Sequence, residues 1–535
     1  MNTSPKHNDV SGLRIGIDVG GTNTDAVLMQ GREVLATTKQ PTSADVLTGV
    51  TDAIQSILAD SKTDSAEIDT VMVGTTHFVN AFVQRRELQP VAIIRIGLPM
   101  TSGILPCVDW PDDLRQVIGD HVFMVGGGSY YTGVEYAPLD NEAIEKAARE
   151  IKNRGLTSIA ISSVFSPIRP DLEIEAGKIV KSIIPDASIT LSHEVGGIGL
   201  IERENAAIIN SALHKLAAKI VTAFEDAIAA LNLSATLYLT QNDGTLMGTE
   251  TAKRFPVTTC SAGPTNSIRG AAFLSGESEA VVVDIGGTTT DVGVLSKGFA
   301  RETSDTFDMG GVRTNFSMPD VLSVGLGGGT VVRLYEDGNI KLGPDSVGFR
   351  LTQEARVFGG NTLTTTDVAV ALGLLDLGDR NKLQEVSVMQ CQAISTLIHD
   401  KVETAIDQLK TSAAEVPVIL VGGGGVLIDR GLKGASVVRR PEHASVANAI
   451  GAAIAQVGGR VKRLFDFGAE GGRDRAIEKA TAEATENAIA AGADPGTIQV
   501  VDIEEYPIPY MQTEAVDVRV RVVGDLLSIG MENGV

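Results

Sequence analysis

At 535 residues the chain exceeds the size at which one core keeps growing, so two or three domains are expected. Hydrophobic residues at 43%, 58 glycines and aromatics at only 4% indicate α/β layers built from Ala, Val, Ile, Leu and Gly, and argue against an all-β architecture. A formal net charge of −22 disfavours nucleic acid and membrane partners, the three cysteines are too scattered for a metal cluster or disulfide framework, and no apolar run approaches the span of a membrane helix, so a cytoplasmic protein is expected.

Met1 to Ser11 reads as a polar, disordered lead. The stretch from Ile15 to Met29 then has the pattern strand, tight turn, strand: an aliphatic run enters Asp18-Val19-Gly20-Gly21-Thr22-Asn23-Thr24-Asp25 and leaves as a second aliphatic run. A helix is expected from Asp45 to Leu58, and a buried strand from Asp69 to Val73 that runs out into Gly74-Thr75-Thr76-His77 and on to Asn80. Hydroxyls and free amides at the carboxyl end of a strand suit a ligand loop, and His77 reads either as a hydrogen-bonded structural residue or as a substrate-facing group. Val91 to Gly97 is a strand, whereas Val122 to Gly133 carries too many glycines for a regular element and reads as a surface connection or a cleft-lining loop.

Helices at Asn141 to Arg154 and Leu172 to Ile184 alternate with strands at Ser158 to Phe165 and Ser188 to Ser192, followed by a Gly196-Gly197-Ile198-Gly199 loop and a long helix from Glu202 to Leu231. The strand at Leu237 ends in Asn242-Asp243, another polar loop, and the small residues from Cys260 to Ser267 read as a hinge.

The opening motif then returns. Val282 to Leu295 contains Asp284-Ile285-Gly286-Gly287-Thr288-Thr289-Thr290-Asp291. Glycine turns let amides approach a phosphate closely, and if the two copies pack as pseudo-symmetric halves, Asp18 and Asp284 face one space where they suit a hydrated Mg²⁺. No lysine follows either copy, which excludes a Walker loop, and continuation as a strand excludes a dinucleotide fingerprint. A third Gly-rich turn lies at Gly325 to Gly329, and Thr364 to Asp367 looks like a helix cap. The strand Pro417 to Val421 enters Gly422-Gly423-Gly424-Gly425, where the missing side chains leave room for an adenosine ring. A helix of small residues at 444–457 follows, and beyond Lys462 a Glu/Ala-rich helix and two strands read as a small α+β appendage.

Together the two Asp-x-Gly-Gly-Thr motifs and Gly422–Gly425 resemble the phosphate and adenosine motifs of the sugar kinase, Hsp70 and actin ATPase superfamily. With Gly74-Thr75-Thr76, Pro138-Leu139-Asp140, Glu202-Arg203, Ser261-Ala262-Gly263-Pro264 and Gly327-Gly328-Gly329, the chain resembles the A-type subunit of the hydantoinase/oxoprolinase family from about Ile15 to Gly459. That resemblance implies an α/β fold of two related ATPase halves, 13–200 and 201–460, closing on ATP and Mg²⁺, with 461–535 appended. It implies ATP-dependent hydrolysis of a cyclic amide through phosphorylation of its carbonyl oxygen, and a B-type subunit or a second copy as partner. Alternatives are a small-molecule kinase, a carboxylase subunit, or a non-catalytic nucleotide-binding assembly subunit. The candidate catalytic side chains are Asp18, Asp284, Asp243 and His77, with Asp18 and Asp284 on the metal. Gly20, Gly21, Thr22, Gly286, Gly287, Thr288, Thr289 and Gly422 to Gly425 hold nucleotide, while Thr75, Thr76, Asn80 and Asn242 face substrate. Larger members continue past this C-terminus, and many show a Cys-Tyr-Gly segment where Gly348-Phe349-Arg350 stands here.

Overall fold

The computed structural model describes residues 12–42, 46–303, 306–508 and 515–527; the lead at 1–11 lies outside the described residues. Three sheets organise the chain. The largest has nine strands, in spatial order Gln499–Pro507, Ala515–Gly524, Gln456–Asp466, Thr245–Gly248, Thr236–Thr240, Ile68–Thr75, Leu13–Val19, Asn23–Gln30 and Glu33–Pro41. A four-stranded parallel sheet orders Ser188–Leu191, Ser158–Ser163, Ala92–Leu98 and His121–Gly126. A third sheet runs Phe299–Ala300, Thr290–Ser296, Ala280–Ile285, Val416–Val421 and Ala435–Arg439, with Val321–Val324 also pairing to Thr290–Ser296.

The first and third sheets repeat one construction. Leu13–Val19 pairs antiparallel with Asn23–Gln30 and parallel with Ile68–Thr75, and Ala280–Ile285 pairs antiparallel with Thr290–Ser296 and parallel with Val416–Val421. Aliphatic residues such as Ile15, Ile17, Val71, Val73, Val281 and Val283 fill these strands because both faces are covered. Between the sheets cross two helices, Ala262–Ser275 and Ala447–Ala453. A Cβ on Gly451 would lie 1.9 Å from the Asn266 carbonyl oxygen, and one on Gly270 would lie 1.8 Å from that of Ala447, so the backbones touch. The small residues at Cys260 to Ser267, expected as a hinge, are therefore the contact surface of a packed helix.

The sheet boundaries differ from the expected divisions at 200/201 and 460/461. Thr236–Thr240 and Thr245–Gly248, from the stretch assigned to the second half, belong to the first sheet. The expected appendage extends that same sheet, with residues 457–466 paired to the whole of Ala515–Gly524. Its helix, Arg473–Ala490, lays Ala476, Ala480, Ala484 and Ala488 against Val518, Val520 and Val522, an i, i+4 alanine stripe that brings helix and sheet close. Conversely, residues 306–319 leave the second half as a strap, whose Met309, Val312 and Phe316 are buried in the core of the first. Glycine density also misled at 122–133: His121–Gly126 is an edge strand, stabilised by parallel pairing with Ala92–Leu98. Among the described residues no helix is long and apolar enough to cross a membrane.

Candidate functional site

The two Gly-Gly-Thr turns face each other. In each, the acidic pair closes the hairpin, Asp18 opposite Asp25 and Asp284 opposite Asp291, and each turn is tied by the same backbone bond, Gly20 N–H to the Asn23 carbonyl at 3.1 Å and Gly286 N–H to the Thr289 carbonyl at 2.9 Å. The hydroxyls of Thr22 and Thr288 lie 3.2 Å apart across the cleft. A side chain on Gly287 would strike Thr22 at 2.9 Å, whereas at Gly21 there is open space. The repeat thus forms one site.

Asp18 is 5% exposed. The Asn448 carboxamide, from the Ala447–Ala453 helix, donates to Asp18 Oδ2 at 3.0 Å and to Asp25 Oδ2 at 2.9 Å, and Lys39 holds the other oxygen of Asp25 at 2.5 Å. Asp18 Oδ1 accepts no well-aligned hydrogen bond from a described residue, although the Asn266 carboxamide stands close enough to offset part of its charge. Burial, with Asp25 and then Asp284 adding like charge, pushes the Asp18 carboxyl up to about 7. A buried carboxylate oxygen without a well-aligned donor and with a raised pKa is poised to accept a cation or a proton.

In the second half Ser267 donates to Asp284 Oδ2, and burial raises the Asp284 carboxyl while Lys39, from the first half, pulls it back. Asp291 is pushed by burial up to about 6, despite the Ser323 hydroxyl that donates to it. Gly422, at φ +81°, turns sharply against this strand; a side chain there would collide with Asp284 Oδ1. Gly423 is exposed and Gly425 half-buried, and both have open space where a Cβ would stand. The third turn, Gly327 to Gly329, docks on the second: Gly328 N–H donates to the Gly286 carbonyl at 3.0 Å and Gly329 N–H to that of Gly287 at 2.7 Å.

The loop after Ile68–Thr75 borders Asp18. A Cβ on Gly74 would stand 2.7 Å from Asp18 Oδ1, and one on Gly263 would meet Thr76 at 3.2 Å. Thr75 accepts the His77 backbone N–H at 3.2 Å and lies 2.6 Å from His77 Nδ1. In the tautomer whose ring proton sits on Nε2, the Thr75 hydroxyl donates to Nδ1. Burial lowers the His77 pKa, so the ring is neutral at pH 7. Asn80 is exposed and donates to Thr76 at 3.3 Å.

Asn242 and Asp243 do not join this edge. Asn242 donates to the carbonyls of Val257 and Ser317 at 2.9 and 3.0 Å and accepts from Ser261 N–H at 2.7 Å. Asp243 accepts the Thr245 amide and hydroxyl at 2.9 and 2.6 Å and faces Arg460 at 3.5 Å. Burial would raise the Asp243 carboxyl, but Arg460 and Thr245 outweigh it and hold it below the ordinary value. Both side chains are spent on internal bonds, so the expected substrate and catalytic roles are replaced by structural ones. The side chains that surround Asp18 and Asp284 instead are Asn448, Asn266, Ser267 and Lys39, none of which carries a motif. The only sequence signal of Asn448, Asn266 and Ser267 is polarity inside helices of small residues, and Lys39 is one cation on the strand Glu33–Pro41.

A nucleotide with Mg²⁺ fits this geometry. Among the described residues no three His, Cys, Asp or Glu side chains form a ligand group. Two separate carboxylates beside the glycine turns suit a cation that keeps most of its water and takes its remaining ligands from phosphate oxygens.

Profiles of known families match two parts of the chain: "Hydantoinase/oxoprolinase N-terminal region" over residues 14–184 and "Hydantoinase/oxoprolinase" over residues 203–379. The chain belongs to the hydantoinase/oxoprolinase family. Among similar members, the caprolactamase subunit alpha of Pseudomonas jessenii is 27% identical over 393 residues, covering 68% of this chain and 54% of that one. The acetophenone carboxylase gamma subunit of Aromatoleum aromaticum is 26% identical over 401 residues, covering 68% and 53%. This hydantoinase/oxoprolinase chain therefore spans about half the length of the curated relatives it matches. In fold it resembles the crystal structure of the ATP-dependent caprolactamase from Pseudomonas jessenii, with a TM-score of 0.77 at 19% identity over 96% of this chain and 88% of that one.

Proposed function

We propose that the protein uses ATP to activate the carbonyl of a cyclic amide, a lactam or hydantoin, for ring opening by water. The observation that carries this reading is the pair of opposed turns, Thr22 to Thr288 at 3.2 Å, beside the buried Asp18 carboxylate. Phosphoryl transfer requires mainly positioning and charge neutralisation, and the turn amides, the two threonine hydroxyls and Lys39 are arranged for both. Asp18 and Asp284 would hold Mg²⁺, which when bound neutralises phosphate charge. Gly422 to Gly425 would take the adenosine.

Substrate would lie along Gly74 to Asn80, with Thr76 and the Nε2–H of His77 as donors to its oxygen. The lactam oxygen bonds to the γ-phosphorus as ADP leaves. Water then adds to the activated carbon, the C–N bond breaks with the proton passing to the ring nitrogen, and a second water frees phosphate. The sum is one amide and one ATP consumed with two waters, giving amino acid, ADP and phosphate. The name of the caprolactamase relative supports a lactam substrate, and that of the acetophenone carboxylase relative favours a second reading, activation of a ketone for carboxylation within a larger assembly.

A screen of ADP release against lactams, hydantoins, ketones and polyols, with and without a B-type subunit, tests this. An opened ring appearing with ADP supports the reading. A stable phosphorylated polyol would replace it with a kinase, and ADP release with every metabolite unchanged would leave a nucleotide sensor.

A further inference from the structure

The loop Gly196-Gly197-Ile198-Gly199 touches neither Gly-Gly-Thr turn, yet it is built with care. Arg203, fully buried, turns back along its own helix and donates through Nη1 to the carbonyls of Gly197 at 2.8 Å and Ile198 at 2.7 Å. With its carbonyls drawn to that side, the loop directs amides the other way, and the Gly197 N–H reaches Asn315 Oδ1 at 3.2 Å. The loop leads into the helix Leu200–Ala230, whose N-cap Gly199 offers no side chain, so the first-turn amides have no acceptor within the helix.

Two further donors converge on that point from different parts of the chain. Asn315, on the strap, is 8% exposed, and its Nδ2 donates to no described residue. It stands 3.5 Å from where a Cβ of Gly197 or of Gly199 would be. Lys462, from the strand Gln456–Asp466, brings Nζ to 2.9 Å from that same Gly197 position. Neighbouring Arg460 and Arg519 are each matched by a carboxylate, Glu302 and Asp517, whereas Lys462 makes no hydrogen bond or ion pair to a described residue. Although the residue reaches solvent, desolvation and then Arg519 lower its pKa, with Arg460 adding to this and Asp517 and Glu302 pulling the other way, and a bound anion would relieve the net cost. Three acidic groups lie close: Asp517 and Glu302, which are already ion-paired with arginines, and Glu202, whose Oε2 is 2.7 Å from the Gly199 position while Oε1 accepts from Arg313 at 3.0 Å.

We infer that Gly197, Asn315, Lys462 and the start of the Leu200–Ala230 helix form a second site, outside the nucleotide cleft, for a small monoanionic carboxylate. An ammonium with no ion pair to a described residue, the free Nδ2 of Asn315 and the first-turn amides of the helix suit the two oxygens of a carboxylate; the Gly197 N–H is already given to Asn315 Oδ1. The nearby Glu202 disfavours a dianion such as phosphate. Because the donors come from the first half, the strap and the extended sheet, occupancy ties these three segments together and stabilises the fold through linkage.

The test uses the full chain saturated with MgADP, so that the cleft is filled, and acetate as the probe, followed by saturation-transfer NMR and by thermal unfolding against chloride at equal ionic strength. Wild type is expected to bind acetate saturably, with a rise in unfolding temperature, and bicarbonate is expected to displace it. Lys462→Met should weaken binding at least tenfold, Lys462→Arg should restore part of it, and Gly197→Ala should block it with a methyl group in the donors' shared space. Lys462→Met lies on an accessible side chain and decides the matter if Gly197→Ala does not fold. Equal acetate binding in wild type and Lys462→Met, no saturable binding in wild type, or displacement by phosphate as effective as by bicarbonate would overturn the inference.

Discussion

Gly451→Ala adds one methyl group and separates two accounts of the helices between the sheets. Judged locally the change should help, because alanine is about 1 kcal/mol better than glycine inside a helix. The structure predicts the opposite. The new Cβ would stand 1.9 Å from the Asn266 carbonyl oxygen and 2.6 Å from its carbon. Since ordinary carbon–oxygen contacts begin near about 3.3 Å, the helices must part by roughly 1.4 Å. The obstacle is backbone, which cannot rotate aside as a side chain would, so the overpacking cost should reach the upper part of the usual range, about 2–3 kcal/mol. Asn266 and Ser267 ride on one helix and Asn448 on the other, so the displacement also reaches Asp18 and Asp284. A misplacement of this size costs about a hundredfold in rate. Denaturant midpoints and substrate-stimulated ADP release should both fall. A variant as stable as wild type, or more stable, with unchanged turnover would refute this description of the crossing.

His214 predicts an acid limit. Burial lowers its pKa to about 4, so it stays neutral in the folded chain while the unfolded chain takes up a proton near pH 6.5. Its stabilising effect is complete above that value and is lost as pH falls toward 4, up to about 3 kcal/mol, and His214→Gln should flatten stability across this window in pH-dependent denaturation curves. Glu204→Ala leaves the fully buried Arg95 without its carboxylate and should cost about 3–5 kcal/mol by the same measurement. Asn242→Ala removes three internal hydrogen bonds and should lower the denaturation midpoint by the equivalent of about 1–3 kcal/mol. A fully stable Asn242→Ala chain that loses only substrate stimulation would return Asn242 to the substrate edge.

Both hairpins were legible from sequence because aliphatic strands flanking Asp-x-Gly-Gly-Thr have few other uses, and the structure pairs them as expected. The cap at Thr364 was equally plain, and the structure shows its full capping box with Asp367. Orientation was harder. Asn242-Asp243 and Thr75-Thr76 are both polar loops at strand ends, and nothing local distinguishes groups turned inward from groups turned to a cleft. Asn448 and Ser267 were invisible for a different reason: each sits within a run of small residues, and its position near Asp18 or Asp284 arises only from the helix crossing. The extension of the first sheet by residues beyond 456 likewise depends on pairing between segments far apart in sequence, as with Val457 opposite Gly524.

The claim that two copies of one motif make a single nucleotide site is tested most directly by calorimetric titration of a non-hydrolysable ATP analogue with Mg²⁺. Wild type should bind one nucleotide per chain. Gly21→Val and Gly423→Val, at positions with open space for a side chain, should fold normally and each abolish that binding, although one lies in the first half and the other in the second. Two nucleotides bound per chain, or full affinity in either variant, would contradict the account.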